Sequence, residues 1–178
     1  MLIRPAHSAD AQALARLGER LWRETYEGLI PASNLELHLA ETFGPAQQTA
    51  ELADPACTTL VIEASSTLLG YALLRACGPW MGKGLKFLKP LEVARFYVDR
   101  TLHGKGAAQT LMKAVLTQST AAGHDCLWLQ VWEQNPRALC FYAKAGFTDA
   151  GGASYRIGNQ VDRDRLLVHA LPAGTVSS

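Results

Sequence analysis

Two stretches of this 178-residue chain combine residue types whose spacing could do chemistry. In the first, Tyr97-Val98-Asp99-Arg100-Thr101-Leu102-His103-Gly104-Lys105-Gly106-Ala107-Ala108 runs directly into Gln109-Thr110-Leu111-Met112, giving a strand, a glycine-bearing turn and a helix in succession. The first N–H groups of a helix have no intrahelical partner, and the helix dipole draws an anion towards them. Gly104, Gly106, Ala107 and Ala108 put no bulk in front of those donors, which suits a phosphate or pyrophosphate. Two familiar phosphate loops fail on named positions. A Walker A loop needs Ser or Thr after its lysine, where Gly106 follows Lys105, and a dinucleotide-binding GxGxxG needs a small residue where Gln109 stands. A tight turn with no ligand would use the same glycines.

The second stretch is Val131-Trp132-Glu133-Gln134-Asn135-Pro136-Arg137-Ala138-Leu139-Cys140-Phe141-Tyr142-Ala143-Lys144-Ala145-Gly146-Phe147. Asn135 stands at a strand-to-helix junction, a capping position, with Pro136 at the first helical residue. Tyr142 follows two helical turns later, so the two share a face, with Ala138 between them. Taken singly, the pair reads equally well as a helix cap and an aromatic at the core edge. Cys140 lies about 140° around the helix from Asn135, which suggests a core thiol rather than a nucleophile. No Ser/His/Asp set stands out.

The elements that must position these residues follow from periodicity. Residues 2 to 5 form a short strand. Ala11, Leu14, Ala15, Leu17, Leu21 and Trp22 then recur at helical spacing behind a cap at Ser8. Gly28 and Pro31 end that helix, and shorter helices follow over Ser33 to Ala40 and Pro45 to Ala53. Thr58 to Glu63 and Leu68 to Cys77 read as an antiparallel pair, followed by a loop carrying Gly78, Pro79, Gly82 and Gly84. Leu91 to Asp99 is a strand. Ala107, Ala108, Leu111, Met112, Val115 and Leu116 mark a helix reaching about Ala122, stopped by Gly123. Cys126 to Trp132 is a strand, Pro136 to Ala145 a helix, and Phe147 to Gly152 and Arg163 to Ala170 close the chain. One domain over residues 1–172 with a short tail at 173–178 is the simplest parse.

Composition narrows the class. Hydrophobic residues make up 48% and charged residues 19%, with 17 Lys+Arg against 16 Asp+Glu. That balance argues against a dedicated nucleic-acid partner. No apolar run approaches the roughly 20 residues of a membrane span, and the N-terminus has no signal-peptide core, so a cytoplasmic protein without a membrane partner is expected. The four cysteines, Cys57, Cys77, Cys126 and Cys140, are scattered among apolar neighbours, as expected of reduced core thiols rather than metal ligands. The near-zero charge conceals two unlike segments. Between Glu19 and Asp54 there are seven acidic residues against Arg20 and Arg23, and between Trp80 and Gly106 six basic residues against Glu92 and Asp99. This asymmetry suits a polyanionic donor and a cationic acceptor, although solvated helix faces would also account for the acidic segment.

Together the two stretches resemble the GNAT superfamily of acyl-CoA-dependent N-acetyltransferases. The family's turn, Arg/Gln-x-x-Gly-x-Gly/Ala after a strand ending in Tyr-Val, is matched by His103-Gly104-Lys105-Gly106-Ala107-Ala108 after Tyr97-Val98. Its Asn-x-x-Ala-x-x-Phe-Tyr-x-Lys-x-Gly-Phe block is present in full from Asn135 to Phe147. One position departs: His103 stands where the family carries Arg or Gln, a change in one side-chain contact of a cradle that works mainly through backbone N–H groups. The resemblance implies an α/β (α+β) GNAT fold, with a mixed, mostly antiparallel central sheet of six to seven strands flanked by helices. It implies acetyl-CoA as cosubstrate, no metal, and a small-molecule amine as acceptor; a homodimer is compatible with it.

Residue by residue, the resemblance implies cofactor contacts at Phe96, Tyr97, Val98, His103, Gly104, Lys105, Gly106, Ala107, Ala108, Asn135, Tyr142 and Lys144. It implies Tyr142 as the acid that protonates the leaving sulfur, Asn135 orienting the cofactor arm, a backbone N–H near Val98 at the thioester oxygen, and Glu92 as the base acting through water. A solvent-facing strand charge is the other reading of Glu92. Thr25 to Pro31, Leu39 to Phe43, Leu52 to Pro55, Gly70 to Leu73 and Val131 to Glu133 further resemble the spermidine/spermine-type branch. Beside a small-amine enzyme, the sequence leaves open a non-catalytic acyl-CoA sensor or scaffold and a protein N-terminal or lysine acetyltransferase. The N-terminal helices and the segment Gly78 to Pro90, expected to build the acceptor site, carry no sharp motif.

Overall fold

The computed structural model describes residues 1–77, 80–82, 85–157 and 160–172. Strand β1 (Leu2–Pro5) leads through a 3-10 turn (Ser8–Asp10) into helices α1 (Ala11–Tyr26), α2 (Ala32–Phe43) and α3 (Pro45–Ala53). Strands β2 (Cys57–Ala64), β3 (Thr67–Ala76), β4 (Trp80–Gly82), β5 (Leu85–Phe87) and β6 (Pro90–Val98) follow. After a second 3-10 turn (Arg100–Leu102) come α4 (Ala107–Ala121), β7 (Cys126–Trp132), α5 (Pro136–Lys144), β8 (Thr148–Ile157) and β9 (Gln160–Ala170).

Seven strands make one sheet in the order β1-β2-β3-β6-β7-β9-β8, and β4 pairs with β5 separately. Only β6 and β7 run parallel, joined by the crossover helix α4. Alternation along the strands separates the two faces. Leu60, Ile62, Leu127, Leu129 and Leu167 pack with Leu111, Met112 and Val115 of α4 and Tyr142 of α5. On the opposite face Val61, Tyr71 and Leu73 pack with Leu14, Leu17 and Leu21 of α1. Trp22, Leu35, Leu39 and Phe43 join α1 to α2 on that same side.

Several expectations change. Ser8 begins a 3-10 turn instead of capping α1; the Asp10 carboxylate accepts from the His7 N–H at 2.9 Å and from Arg4 at 2.7 Å, tying the turn to β1. The segment expected to be a plain loop after β3 holds β4 and β5, while Gly78, Pro79, Lys83 and Gly84 lie outside the described residues, as does the tail from residue 173. The closing strands extend to Ile157 and start at Gln160, since β8 and β9 continue as an antiparallel pair from Ser154↔Arg163 to Ile157↔Gln160, past the point at which β9 leaves β7 at Asp164. Of the four cysteines only Cys126 is buried; Cys57 is half-buried, and Cys77 and Cys140 are exposed, Cys77 lying past the end of β3 and Cys140 on α5 among the exposed Arg137, Ala143 and Lys144.

Candidate active site

The site begins where the sheet comes apart. Strand β6 pairs with β3 from Leu91 to Val98, but with β7 only at Pro90↔Cys126, Leu91↔Leu127 and Glu92↔Trp128. Beyond that register the two parallel strands separate, and a cleft of about 730 Å³ opens between them. A bulge assists the divergence: Leu74 faces Val93 and Leu73 faces Arg95, leaving Ala94 as the extra residue. The cleft connects the two faces of the sheet. Phe96, Ala108, Asn135, Ala138, Phe141 and Tyr142 line it on the α4/α5 side, and Trp22, Tyr26, Trp132, Tyr155 and Asp164 line it on the α1/α2 side.

On the α4/α5 side, Gly104 and Gly106 adopt φ +75° and +77°, and Gly106 caps α4 in the left-handed conformation. A side chain at either would be strained, while the space in front of both is open. The leading N–H groups of this 15-residue helix therefore face an unobstructed approach, which fits the pyrophosphate of coenzyme A. Ala108 lines the cleft, whereas the Ala107 side chain is core, 1% exposed, leaving its N–H as its contribution. His103 also lines the cleft, but its Nε2 lies 3.1 Å from the Val98 carbonyl and so engages the strand. Lys105 and Lys144 are exposed and do not line the cleft.

Asn135 caps α5, its Oδ1 accepting from the Ala138 N–H at 3.0 Å, with Pro136 at the first turn. That bond fixes the helix entry, and Tyr142 falls on the cleft side two turns on. Tyr142 packs edge-on against Phe96, Phe141 and Phe147 at ring-centroid distances of 6.2, 5.3 and 5.6 Å. Burial raises its phenol well above the ordinary tyrosine range, so it is fully protonated at neutral pH. Its hydroxyl has no hydrogen-bond partner among the described residues, although the side chain lines the cleft.

Glu92 lines the same cleft, half-buried, at the last paired position before the split. Burial raises its pKa, opposed by Arg75, whose Nη1 lies 3.6 Å from the carboxylate, and by Arg95. Phe96 and Val98 pack towards the α4/α5 core. Tyr97 turns to the other face, its ring 5.6 Å from Tyr71 and 6.2 Å from Phe43. The expected cofactor residues therefore do not all share one face; Tyr97 belongs with the N-terminal helices.

The sequence reading missed the acidic pair on β9. Asp162 and Asp164 sit opposite Tyr155 and Ala153 of β8, and Asp164 also opposite Trp132 of β7. Their alternate spacing on a strand was the available signal, but that strand was expected to begin only at Arg163. Tyr26, Trp132 and Tyr155 enclose the pair: Tyr26 and Trp132 are 6.0 Å apart, and Tyr155 stands against His38 at 6.1 Å. Burial, then Asp162 and Glu133, push the Asp164 carboxyl up to about 6. Among the described residues no group of three or more His, Cys, Asp or Glu is arranged to hold a metal ion.

The two oppositely charged segments partly neutralise each other. Arg95 of the basic segment makes a paired contact with Glu51 of the acidic one at 2.5 and 3.0 Å, both nearly buried, beneath the Phe43 ring. Arg100 approaches Glu24 at 3.6 Å and Arg20 holds Asp99 at 2.6 Å across the two segments, while Arg23 holds Glu36 at 2.6 Å within the acidic one. Much of the N-terminal acidity is thus spent on structure, and the β9 carboxylates supply negative charge deep in the cleft. No helix among the described residues is long and apolar enough to cross a membrane.

Comparisons with known proteins bear on this geometry. A family model described as the acetyltransferase (GNAT) family matches residues 16–147. An uncharacterized N-acetyltransferase of Mycobacterium tuberculosis is 27% identical over 162 residues, covering 91% of this chain and 98% of the relative. Among solved structures, the PaiA N-acetyltransferase of Thermoplasma acidophilum in complex with coenzyme A superposes with a TM-score of 0.74 at 21% identity, over 95% of this chain and 98% of the other. A probable acetyltransferase of Staphylococcus epidermidis gives 0.75 at 14% identity, over 96% and 99%.

Proposed function

The chain belongs to the GNAT acetyltransferase family and is an acetyl-CoA-dependent N-acetyltransferase; we propose that its acceptor is a primary amine, a polyamine or another small cationic amine, attacked directly in a ternary complex. The observation that carries this reading is the split between β6 and β7, which joins an anion-accepting helix terminus on one face to an aromatic, acidic pocket on the other. A donor bound along α4 and an amine bound near β9 would meet at the split, with no covalent relay needed. The coenzyme A held by the Thermoplasma relative supports the donor assignment.

In this reading the N–H groups of Gly106, Ala107 and Ala108 hold the pyrophosphate, and the open edge of β6 beyond Glu92 carries the pantetheine arm. Bound acetyl-CoA supplies an activated thioester carbonyl. An N–H near Val98 stabilises the charge that grows on the carbonyl oxygen. Glu92, its basicity raised by burial, takes the ammonium proton through water, which frees the nitrogen lone pair. As the C–N bond forms and the C–S bond breaks, Tyr142 gives its phenolic proton to the departing sulfur. Asn135, with Oδ1 committed to Ala138, has its amide NH₂ left to orient the arm.

The test is thiol release from acetyl-CoA by the purified protein against polyamines, amino acids, aminoglycosides and short peptides. Turnover on small amines is expected. Coenzyme A binding without release on any acceptor would favour a sensor, and release on peptides alone would favour a protein acetyltransferase.

A further inference from the structure

The α1/α2 side of the cleft contains a carboxylate that the transfer chemistry leaves idle. Asp164 is 7% exposed, lines the cleft, and makes no side-chain hydrogen bond or ion pair with any described residue. Its oxygens are not among the fully enclosed polar atoms without a partner, so they face the cleft, and a carboxylate largely withdrawn from bulk water with no protein cation beside it is costly until a ligand pairs with it. Two negative charges deepen the cost, Asp162 on its own strand and Glu133 just after β7, while the phenols of Tyr26 from α1 and Tyr155 from β8, raised by burial and by Asp164 itself, stay neutral beside it. Arg95, the nearly buried cation of this face, is already bound to Glu51. The surroundings are aromatic, and the faces of Tyr and Trp rings attract cations.

Resting on the amine-acetyltransferase reading, we propose that Asp164 is the specificity-determining residue of the acceptor site, its carboxylate holding an ammonium group of an alkylamine whose methylenes lie against the Tyr26 and Trp132 rings. Among common ligands, an alkylammonium satisfies both features at once. Its N–H groups donate to the carboxylate, its charge offsets that of Asp164, and its hydrocarbon covers the rings. An anionic or neutral acceptor would leave Asp164 unpaired.

Calorimetric titration of the coenzyme A-saturated protein at about pH 7.5 tests this, with n-hexylammonium chloride as probe and neutral hexanamide as control. Asp164→Asn should weaken hexylammonium binding at least ~10-fold, the scale of a lost charge-assisted hydrogen bond, and leave hexanamide and coenzyme A affinities unchanged. Equal hexylammonium affinity in the variant, no saturable binding to the wild type, or an equal loss for hexanamide would overturn the proposal. A second measurement needs no substitution. The ¹³C resonance of the Asp164 carboxyl should titrate near 6 in the coenzyme A complex and at lower pH once hexylammonium is added; an unmoved midpoint refutes the site. Neither measurement involves turnover. Thiol release from no amine at all would refute the transfer reading and leave the ammonium site standing, and thiol release with unaltered ammonium affinity in Asp164→Asn would do the reverse.

Discussion

Replacing Asp164 by asparagine should stabilise the free protein while harming the acceptor site. The folded carboxyl sits at about 6 against an ordinary value of 3.8, a gap that at about 1.36 kcal/mol per pKa unit corresponds to ~3 kcal/mol. Water in the open cleft relieves part of this, so the expected gain at pH 7.5 is about 1–3 kcal/mol, or roughly 2–4 °C in Tm for each kcal/mol in a chain of this size. The sign follows from proton counting. Between pH 6 and 4 the folded wild type holds a proton that the unfolded chain has released, so this site favours folding more as pH falls through that window. The Asp164→Asn variant has no such dependence at this position, and its advantage should shrink to about half by pH 5. Urea unfolding of both proteins at pH 7.5 and 5 reads this directly. A variant less stable than wild type at pH 7.5, or one whose advantage is the same at both pH values, would refute a buried and uncompensated Asp164.

The remaining predictions concern the donor side and the core. Tyr142→Phe should lower kcat at least ~100-fold while leaving the coenzyme A Kd within about twofold, because the lost proton donor acts in the transition state; unchanged turnover would end that assignment. Gly106→Val should weaken coenzyme A binding measured by calorimetry, since φ +77° is strained for a branched residue and its side chain enters open space beside the α4 terminus; an unaltered Kd would count against the cradle. Arg95→Met should cost about 1–3 kcal/mol in urea unfolding, below the ~3–5 kcal/mol of a fully stranded buried charge because Glu51 keeps Gln47 at 2.8 Å and Arg75 at 3.5 Å, and adding Glu51→Gln should recover much of it.

The proposed donor half of the site was legible because its signals are local. Gly104 and Gly106 have to take positive φ at a strand-to-helix turn, and Asn135 and Tyr142 are related by the pitch of one helix. Cys140 shows the limit of such reasoning. Its angle from Asn135 predicted a different side of α5 correctly, but helical angle does not say which side meets solvent, and Cys140 is exposed. The acceptor half was hidden for another reason. Tyr26, Trp132, Tyr155 and Asp164 come from four separate elements, and they meet only because β9 inserts between β7 and β8 while α1 and α2 lie over that end of the sheet.

By itself the sequence determined the reaction family and the open backbone turn before α4 proposed to receive the donor, since both depend on residues close enough in the chain for turn and helix geometry to align them. It also contained the charge asymmetry, but tertiary structure decided its use. Once Glu51 closed on Arg95 and Glu36 on Arg23, much of the N-terminal acidity was neutralised, and Asp164 on β9 became the buried carboxylate in the cleft with no cation beside it among the described residues. Which charges cancel and which remain is set by distance and burial in three dimensions, because Coulomb energy depends on separation in space and on local dielectric, and position along the chain determines neither.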